Sequence, residues 1–305
     1  MTPAPAYPKA VTLVEVGPRD GFQFEAAIIP TDEKVRIIQA LTDAGLRWIQ
    51  ATSFVHPERV PQMADAEALL RRLPLREGIT YTALALNERG VQRAHAAGIR
   101  HIEVSVSASD THSRRNAGLP LTEAAGRGEA MIRMATGLDM GVTAGIQCAL
   151  GCAYEGTVPR KRVLEMAEGF LSAGAGVLSV ADTTGMGNPR SVARLLDEVM
   201  PVAGRVPVGF HLHDTRGLGL ANMATALRYG VSRFDASVGG MGGCPFVPGA
   251  AGNIATEDAA YLLAAMGIET GIDLARLCRC ARHLSDLLGR PLPGKIHRLP
   301  ETPAP

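Results

Sequence analysis

The chain has no run of the roughly 18 apolar residues that a membrane-crossing helix needs, so no such span is expected. It has almost no net charge: 31 Lys and Arg against 30 Asp and Glu leave +1, which removes the electrostatic case for nucleic acid or an anionic membrane as partner. Its five cysteines, an odd number with no C-x-x-C pair, argue against a disulfide scaffold and for a reduced, cytoplasmic setting. The first residues, up to Lys9, lack both the apolar centre of a signal peptide and the arginines of an organelle presequence, and the end, Glu301-Thr302-Pro303-Ala304-Pro305, carries no peroxisomal tripeptide. No G-x-G-x-x-G opens the first helical segment, which counts against an open dinucleotide-binding sheet. Aromatics are scarce, 4% against 46% hydrophobic residues in all, so a large core must be built from aliphatic side chains.

What is present is a repeated alternation. Short runs rich in β-branched residues fall at 11–16, 48–53, 80–86, 101–107, 143–150, 177–181, 206–213 and 234–238. Helical patterns lie between and after them at 31–44, 61–72, 88–97, 122–138, 159–173, 189–202, 218–229 and 256–266. Thr31 heads the first helix as its N-cap, with Asp32 and Glu33 in the first turn, and Gly45, Gly98, Gly174, Gly230 and Gly267 stand where helices should exit. Eight strand-plus-helix units of this kind close into a (β/α)8 TIM barrel. The expected organisation is a disordered tail over residues 1–10, a catalytic barrel over 11–270, and a C-terminal helix and tail over 271–305 packed on the barrel.

In such a barrel chemistry sits where the strands end at their C-termini. His211 and His213, two apart in a strand, point the same way, and Asp214 follows at once. Half-buried strand histidines satisfied by backbone give the same pattern; the alternative is half of a metal site. After the first strand, Gly17-Pro18-Arg19-Asp20-Gly21 presents opposite charges at a sharp turn: an ordinary ion pair, or a hard oxygen ligand from Asp20 with Arg19 ready for developing negative charge. The sixth strand ends at Asp182, a rim carboxylate, and the fifth at Cys148 and Cys152, which read as small buried groups. Arg114 and Arg115, in a long loop after the fourth strand, suit either a phosphate-bearing ligand or a solvated face. The eighth strand runs into Gly239-Gly240-Met241-Gly242-Gly243-Cys244, a thiol on a glycine-rich loop, and Asn253 follows. Asp20, His211, His213 and Asn253 would form a mixed oxygen and nitrogen shell suited to Mg or Mn, with Zn possible in an open site.

Three long motifs carry a resemblance. Val14 to Gly21, His211-x-His213-Asp214-Thr215, and Gly240-Met241-Gly242-Gly243-Cys244-Pro245 followed by Gly252-Asn253-Ile254-Ala255-Thr256-Glu257-Asp258 resemble the 3-hydroxy-3-methylglutaryl-CoA (HMG-CoA) lyase family, of the DRE-type TIM-barrel metallolyases. The resemblance implies retro-Claisen cleavage of an acyl-CoA to acetyl-CoA and a keto acid, a divalent metal held by Asp20, His211, His213 and Asn253, and a homodimer. It also implies that Arg19 stabilises the enolate oxygen, Cys244 protonates the enolate, His211 or Asp20 handles the hydroxyl proton and Asp182 tunes that step, with Arg19, Gln23, Gln50 and Ser53 against the substrate.

The match departs from the family at Gln50, where a Glu is usual, at Phe24, where a polar residue is common, and at Arg216, where a Tyr is frequent. A different 3-hydroxyacyl-CoA, such as citramalyl-CoA, competes as substrate on that account. Two further readings compete with the lyase: a related Claisen-type synthase or aldolase, and a barrel that binds metal and acyl-CoA but has lost turnover through Gln50. If Gln50 were a handicap, Gln50→Glu would raise the rate.

Overall fold

The computed structural model describes residues 7–243 and 251–300, so Cys244 lies outside the described residues. Eight parallel strands, β1 (Thr12–Glu15), β2 (Trp48–Phe54), β3 (Thr80–Ala85), β4 (His101–Ser107), β5 (Gly141–Gln147), β6 (Val177–Asp182), β7 (Val208–Leu212) and β8 (Arg233–Ala236), close into a barrel in sequence order, with β1 paired to β8. This is the (β/α)8 TIM barrel that the alternation implies. Around it run α1 (Thr31–Asp43), α2 (Ala66–Arg72), α3 (Glu88–Ala96), α4 (Asp110–Ala117), α5 (Leu121–Gly137), α6 (Arg160–Ser172), α7 (Pro189–Ala203), α8 (Gly219–Leu227) and α9 (Thr256–Ala265), followed by α10 (Leu274–Leu288). The core between strands and helices is aliphatic, for example Ile38, Leu41, Ile49, Ile102, Val180 and Leu196, each almost wholly buried. On α10, Leu277, Cys280, Ala281 and Leu284 are buried, so this helix covers apolar surface.

Local differences from the sequence reading have physical causes. The N-cap of α1 is Pro30, not Thr31, because the Thr31 hydroxyl instead donates to Asp65 at 2.7 Å. The fifth strand begins at Gly141 and ends at Gln147, since Cys148 takes a positive φ of 57° that turns the chain out of the sheet. The stretch after β4 is helical: α4 is polar on all sides and shows no apolar stripe, but Ser109 caps it by accepting from the His112 N–H, and Gly118 ends it in the left-handed region. Arg114 on that helix pairs with Asp110 and Arg115 lies over the Tyr154 ring. Gly45 leaves α1 at φ +99°, where a Cβ would meet the Gly271 carbonyl at 2.2 Å.

The interior of the barrel is polar. Gln50 on β2, Glu103 on β4, Ser179 on β6 and Asp235 on β8 line one small cavity, a layer drawn from alternate strands where branched aliphatics are usual. Below the rim, Glu15 accepts from the Gly17 and Val238 N–H groups and the Thr256 hydroxyl, tying the end of β1 to the turn after β8 and to α9. Burial, opposed by those hydrogen bonds, pushes its carboxyl up to about 7. A carboxyl raised in the folded state stabilises fully below its unfolded value near 4.5, and that contribution fades as pH rises through about 7. Glu15→Gln keeps the acceptor for both N–H groups and removes the titration. The variant should therefore gain stability relative to wild type between pH 5 and 8, by on the order of 3 kcal/mol. Paired thermal unfolding across that range checks it; parallel curves would mean Glu15 does not titrate there.

Candidate active site

A cavity of about 700 Å³ opens where the strands end. Its inner wall is set by the turn after β1, in which residues Gly17–Gly21 form a single wide helical turn with every residue buried. That turn places Arg19 and Asp20 side by side beneath the mouth, the guanidinium donating to the Asp20 carboxylate. The Nε of Arg19 donates to Gln50 Oε1 on β2, and Gln23 Nε2 donates to Asp20 Oδ1 at 3.1 Å. The charged pair is therefore a fixed, desolvated element and not a surface turn.

His211 at the end of β7 and His213 just beyond it turn into the same cavity, their Nε2 atoms 3.1 Å apart. Ligand atoms of Asp20, His211 and His213 all lie within 4.8 Å of one another. Asn253 is brought alongside by a bridge to His213, and its Nδ2 donates to Asp20 Oδ2 at 2.7 Å and to the Met241 carbonyl at 3.0 Å. The other end of that amide, Oδ1, is buried with no hydrogen-bond partner. An unpartnered buried acceptor carries a desolvation cost that a cation would relieve. The backbone is held close here as well, since a Cβ at Gly242 would meet Asn253 Nδ2 at 2.5 Å.

The electrostatics follow from the packing. Burial alone would raise the Asp20 carboxyl, but Arg19, His211 and His213 outweigh it and hold it below the ordinary range. Burial and the neighbouring His211 push His213 down to about 3, so this imidazole is neutral with a lone pair available. His211 is raised against the effect of burial, because its Nδ1 faces Asp235 Oδ2 at 3.1 Å. That contact orients the ring so that Nε2 points at His213 and Asp20. An anionic oxygen and two imidazole nitrogens beside an orphaned amide oxygen fit a divalent cation.

A family model for HMGL-like proteins matches residues 10–284. The chain belongs to the HMGL-like family. Among HMGL-like relatives, hydroxymethylglutaryl-CoA lyase YngG of Bacillus subtilis is 39% identical over 95% of this chain and 97% of its own length. The mitochondrial hydroxymethylglutaryl-CoA lyase of Homo sapiens is also 39% identical, over 95% of this chain and 89% of its own length. A solved structure of an HMG-CoA lyase from Acinetobacter baumannii, in complex with coenzyme A and 3-methylmalate, superposes with a TM-score of 0.90 at 35% identity, covering 98% of this chain and 99% of that one.

Within this HMGL-like site the structure gathers Arg19, Asp20, Gln23, His211 and His213 around the cavity, with Gln50 and Asn253 directly bonded to them. Asp182 stands apart from the Asp20, His211 and His213 cluster: its oxygens accept from the Met186 and Gly187 N–H groups, and burial, opposed by those bonds, raises it to about 6. Ser53 is buried with an unpartnered hydroxyl. Phe24 lines the cavity, whereas Phe22, the other aromatic of that turn, is in the core. Arg216 reaches back to the Thr184 carbonyl. Cys148 and Cys152 are buried, and Cys152 accepts from the Ser109 hydroxyl.

Two residues of the site belong to none of the motifs, Asp235 and Glu103. Each is the one acid of its strand, in the inward phase that alternates with buried apolar residues, Ile102, Val104 and Val106 on β4 and Phe234 and Ala236 on β8, which is the signal that points to them. Partners that orient metal-ligating imidazoles set both affinity and activity. Asp235→Asn should therefore weaken Mn²⁺ binding by about 10 to 100-fold. Calorimetric titration with Mn²⁺ checks this, and an unchanged affinity would remove Asp235 from the account.

Proposed function

We propose that this chain is a divalent-metal-dependent acyl-CoA lyase that cleaves HMG-CoA by retro-Claisen scission to acetyl-CoA and acetoacetate. The observation that carries the reading is the convergence of Asp20, His211, His213 and the unpartnered Asn253 oxygen beside the buried Arg19. The lyase names of relatives that match nearly the whole chain, and the coenzyme A bound in one of them, support the same reaction class and an acyl-CoA substrate.

Asp20, His211, His213 and Asn253 would hold the cation, which supplies Lewis acidity that makes the tertiary hydroxyl of the substrate easier to deprotonate. The hydroxyl proton is taken up within the same carboxylate and imidazole cluster, where Asp235 raises the proton affinity of His211 and Arg19 lowers that of Asp20. As the C2–C3 bond breaks, its electron pair moves onto the thioester, and Arg19 faces the oxygen where negative charge gathers. Gln23 and Gln50 keep Arg19 and Asp20 in register, Ser53 lies further along the same strand, and Asp182 holds the neighbouring turn. Cys244 on the glycine-rich loop is the acid that protonates the enolate carbon, a role supported by the motif in which it stands.

The metal is Mg or Mn, as the oxygen and nitrogen donors favour. The catalytic barrel spans 11–270 and the described part of the C-terminal segment, 271–300, packs on it, consistent with the buried face of α10. A homodimer follows from the family resemblance, and a cytoplasmic setting from the buried cysteines Cys148, Cys152, Cys278 and Cys280, which are not joined in disulfides. No helix among the described residues is long and apolar enough to cross a membrane.

The test is a panel of 3-hydroxyacyl-CoA thioesters, HMG-CoA and citramalyl-CoA among them, assayed for acetyl-CoA release with Mg²⁺ or Mn²⁺ and after chelation. Metal-dependent release from HMG-CoA supports the reading. Condensation of acetyl-CoA with a keto acid in place of cleavage would favour the synthase, and binding without turnover a disabled barrel.

A further inference from the structure

Glu103 is an inward-facing carboxylate at the floor of the cavity that the mechanism above does not use. Its position in the barrel explains whom it meets. On β3, Thr82 pairs with Gln50 of β2, while Leu84 pairs with Glu103 of β4, so β3 separates the two. Residues of alternate strands share a layer, and the Gln50 and Glu103 side chains span the gap: Gln50 Nε2 donates to Glu103 Oε2 at 2.5 Å. The other end of the same amide, Oε1, accepts from Arg19 Nε.

An amide has one accepting end and one donating end, and a carboxylate has only acceptors. A carboxylate at 103 therefore dictates which end of Gln50 turns toward β4 and leaves the oxygen for Arg19. We infer that Glu103 is a positioning residue for the cleavage reaction: through the Gln50 amide it fixes the orientation of the Arg19 guanidinium beside Asp20. The inference rests on the role given to Arg19 above. It also reverses the expected sign for Gln50→Glu, since that change sets two carboxylates against each other across β3. The exchange of acid for amide at 50 is thus matched by the acid at 103.

Three variants of the full chain test this: Glu103→Gln, Gln50→Glu, and the two together. With two amides facing each other, either can donate, and one arrangement turns the Gln50 NH₂ toward Arg19; Glu103→Gln should lower kcat about tenfold with KM changed by less than about twofold. Gln50→Glu should lower kcat by at least as much. The double variant restores one acid and one amide in exchanged positions, and should recover to within a few fold of wild type. A separate reading comes from NMR of arginine-labelled protein, assigned through Arg19→Lys: the Arg19 Nε–H should resist solvent exchange in wild type and in the double variant, and exchange quickly in either single variant. Losses that multiply in the double variant, or an Arg19 Nε–H indifferent to Glu103→Gln, would overturn the inference. A wild-type protein inactive on every thioester would instead strike the functional reading, and the NMR comparison would still decide whether Glu103 positions Arg19.

Discussion

Arg19→Gln is expected to lower kcat for acetyl-CoA release by about two to three orders of magnitude while leaving KM nearly unchanged. The size follows from how the side chain is held. Its Nε is fixed by Gln50 and one terminal nitrogen by Asp20, while among the described residues Nη2 makes no hydrogen bond. A donor already oriented in a closed site needs no reorganisation when the enolate oxygen takes up charge, and that is where most of its effect arises. Substrate in the ground state carries no charge at that oxygen, so binding should barely change. Arg19→Lys should fail nearly as badly, because an ammonium point charge cannot keep both the Gln50 and Asp20 contacts and still face the substrate. Steady-state kinetics on the thioester that turns over fastest is the check. A large rise in KM at constant kcat would mean that Arg19 binds the ground state instead.

The second large effect is expected at the carboxylate. Asp20→Asn conserves shape but removes the only negative charge among Asp20, His211 and His213. It also sets two amides against each other, since Asn253 Nδ2 donates to Asp20 Oδ2. Mn²⁺ affinity should fall by more than about 100-fold, beyond the range that loss of an outer partner such as Asp235 produces. Activity should not be rescued fully by saturating metal, because Arg19 then lacks its partner. Calorimetric titration with Mn²⁺ separates the two parts. In wild type the same titration should weaken toward low pH, as protons compete for imidazole nitrogens that must be unprotonated to bind. Affinity for Mn²⁺ left intact in the Asp20→Asn protein would place the metal elsewhere.

How much of this was legible in the sequence depended on the kind of signal each residue leaves. Period-two and helical patterns separated by glycine exits gave the eight units, because burial of strands and one helix face writes itself into the chain at fixed spacing. The four candidate ligands were legible because each sits at a strand end or in a glycine-rich turn, where a polar group is out of place unless it has work to do. α4 was not legible: its helicity comes from the Ser109 cap and the Gly118 exit, and its polar faces leave no periodic trace. Glu103 and Asp235 were missed because their meaning is tertiary. Glu103 is two strands away from Gln50 and 53 residues along the chain, and only closure of the barrel gives it a partner. The same closure changes the meaning of Gln50, which alone looks like the loss of an acid and in place is one half of an amide and carboxylate pair.

The most direct test of the central claim is anomalous X-ray scattering from crystals grown with Mn²⁺. One peak coordinated by Asp20, His211, His213 and the Asn253 Oδ1, with Arg19 alongside, is the result expected. A protein that releases acetyl-CoA while its Mn²⁺ lies away from those four side chains, or binds none, would contradict the account.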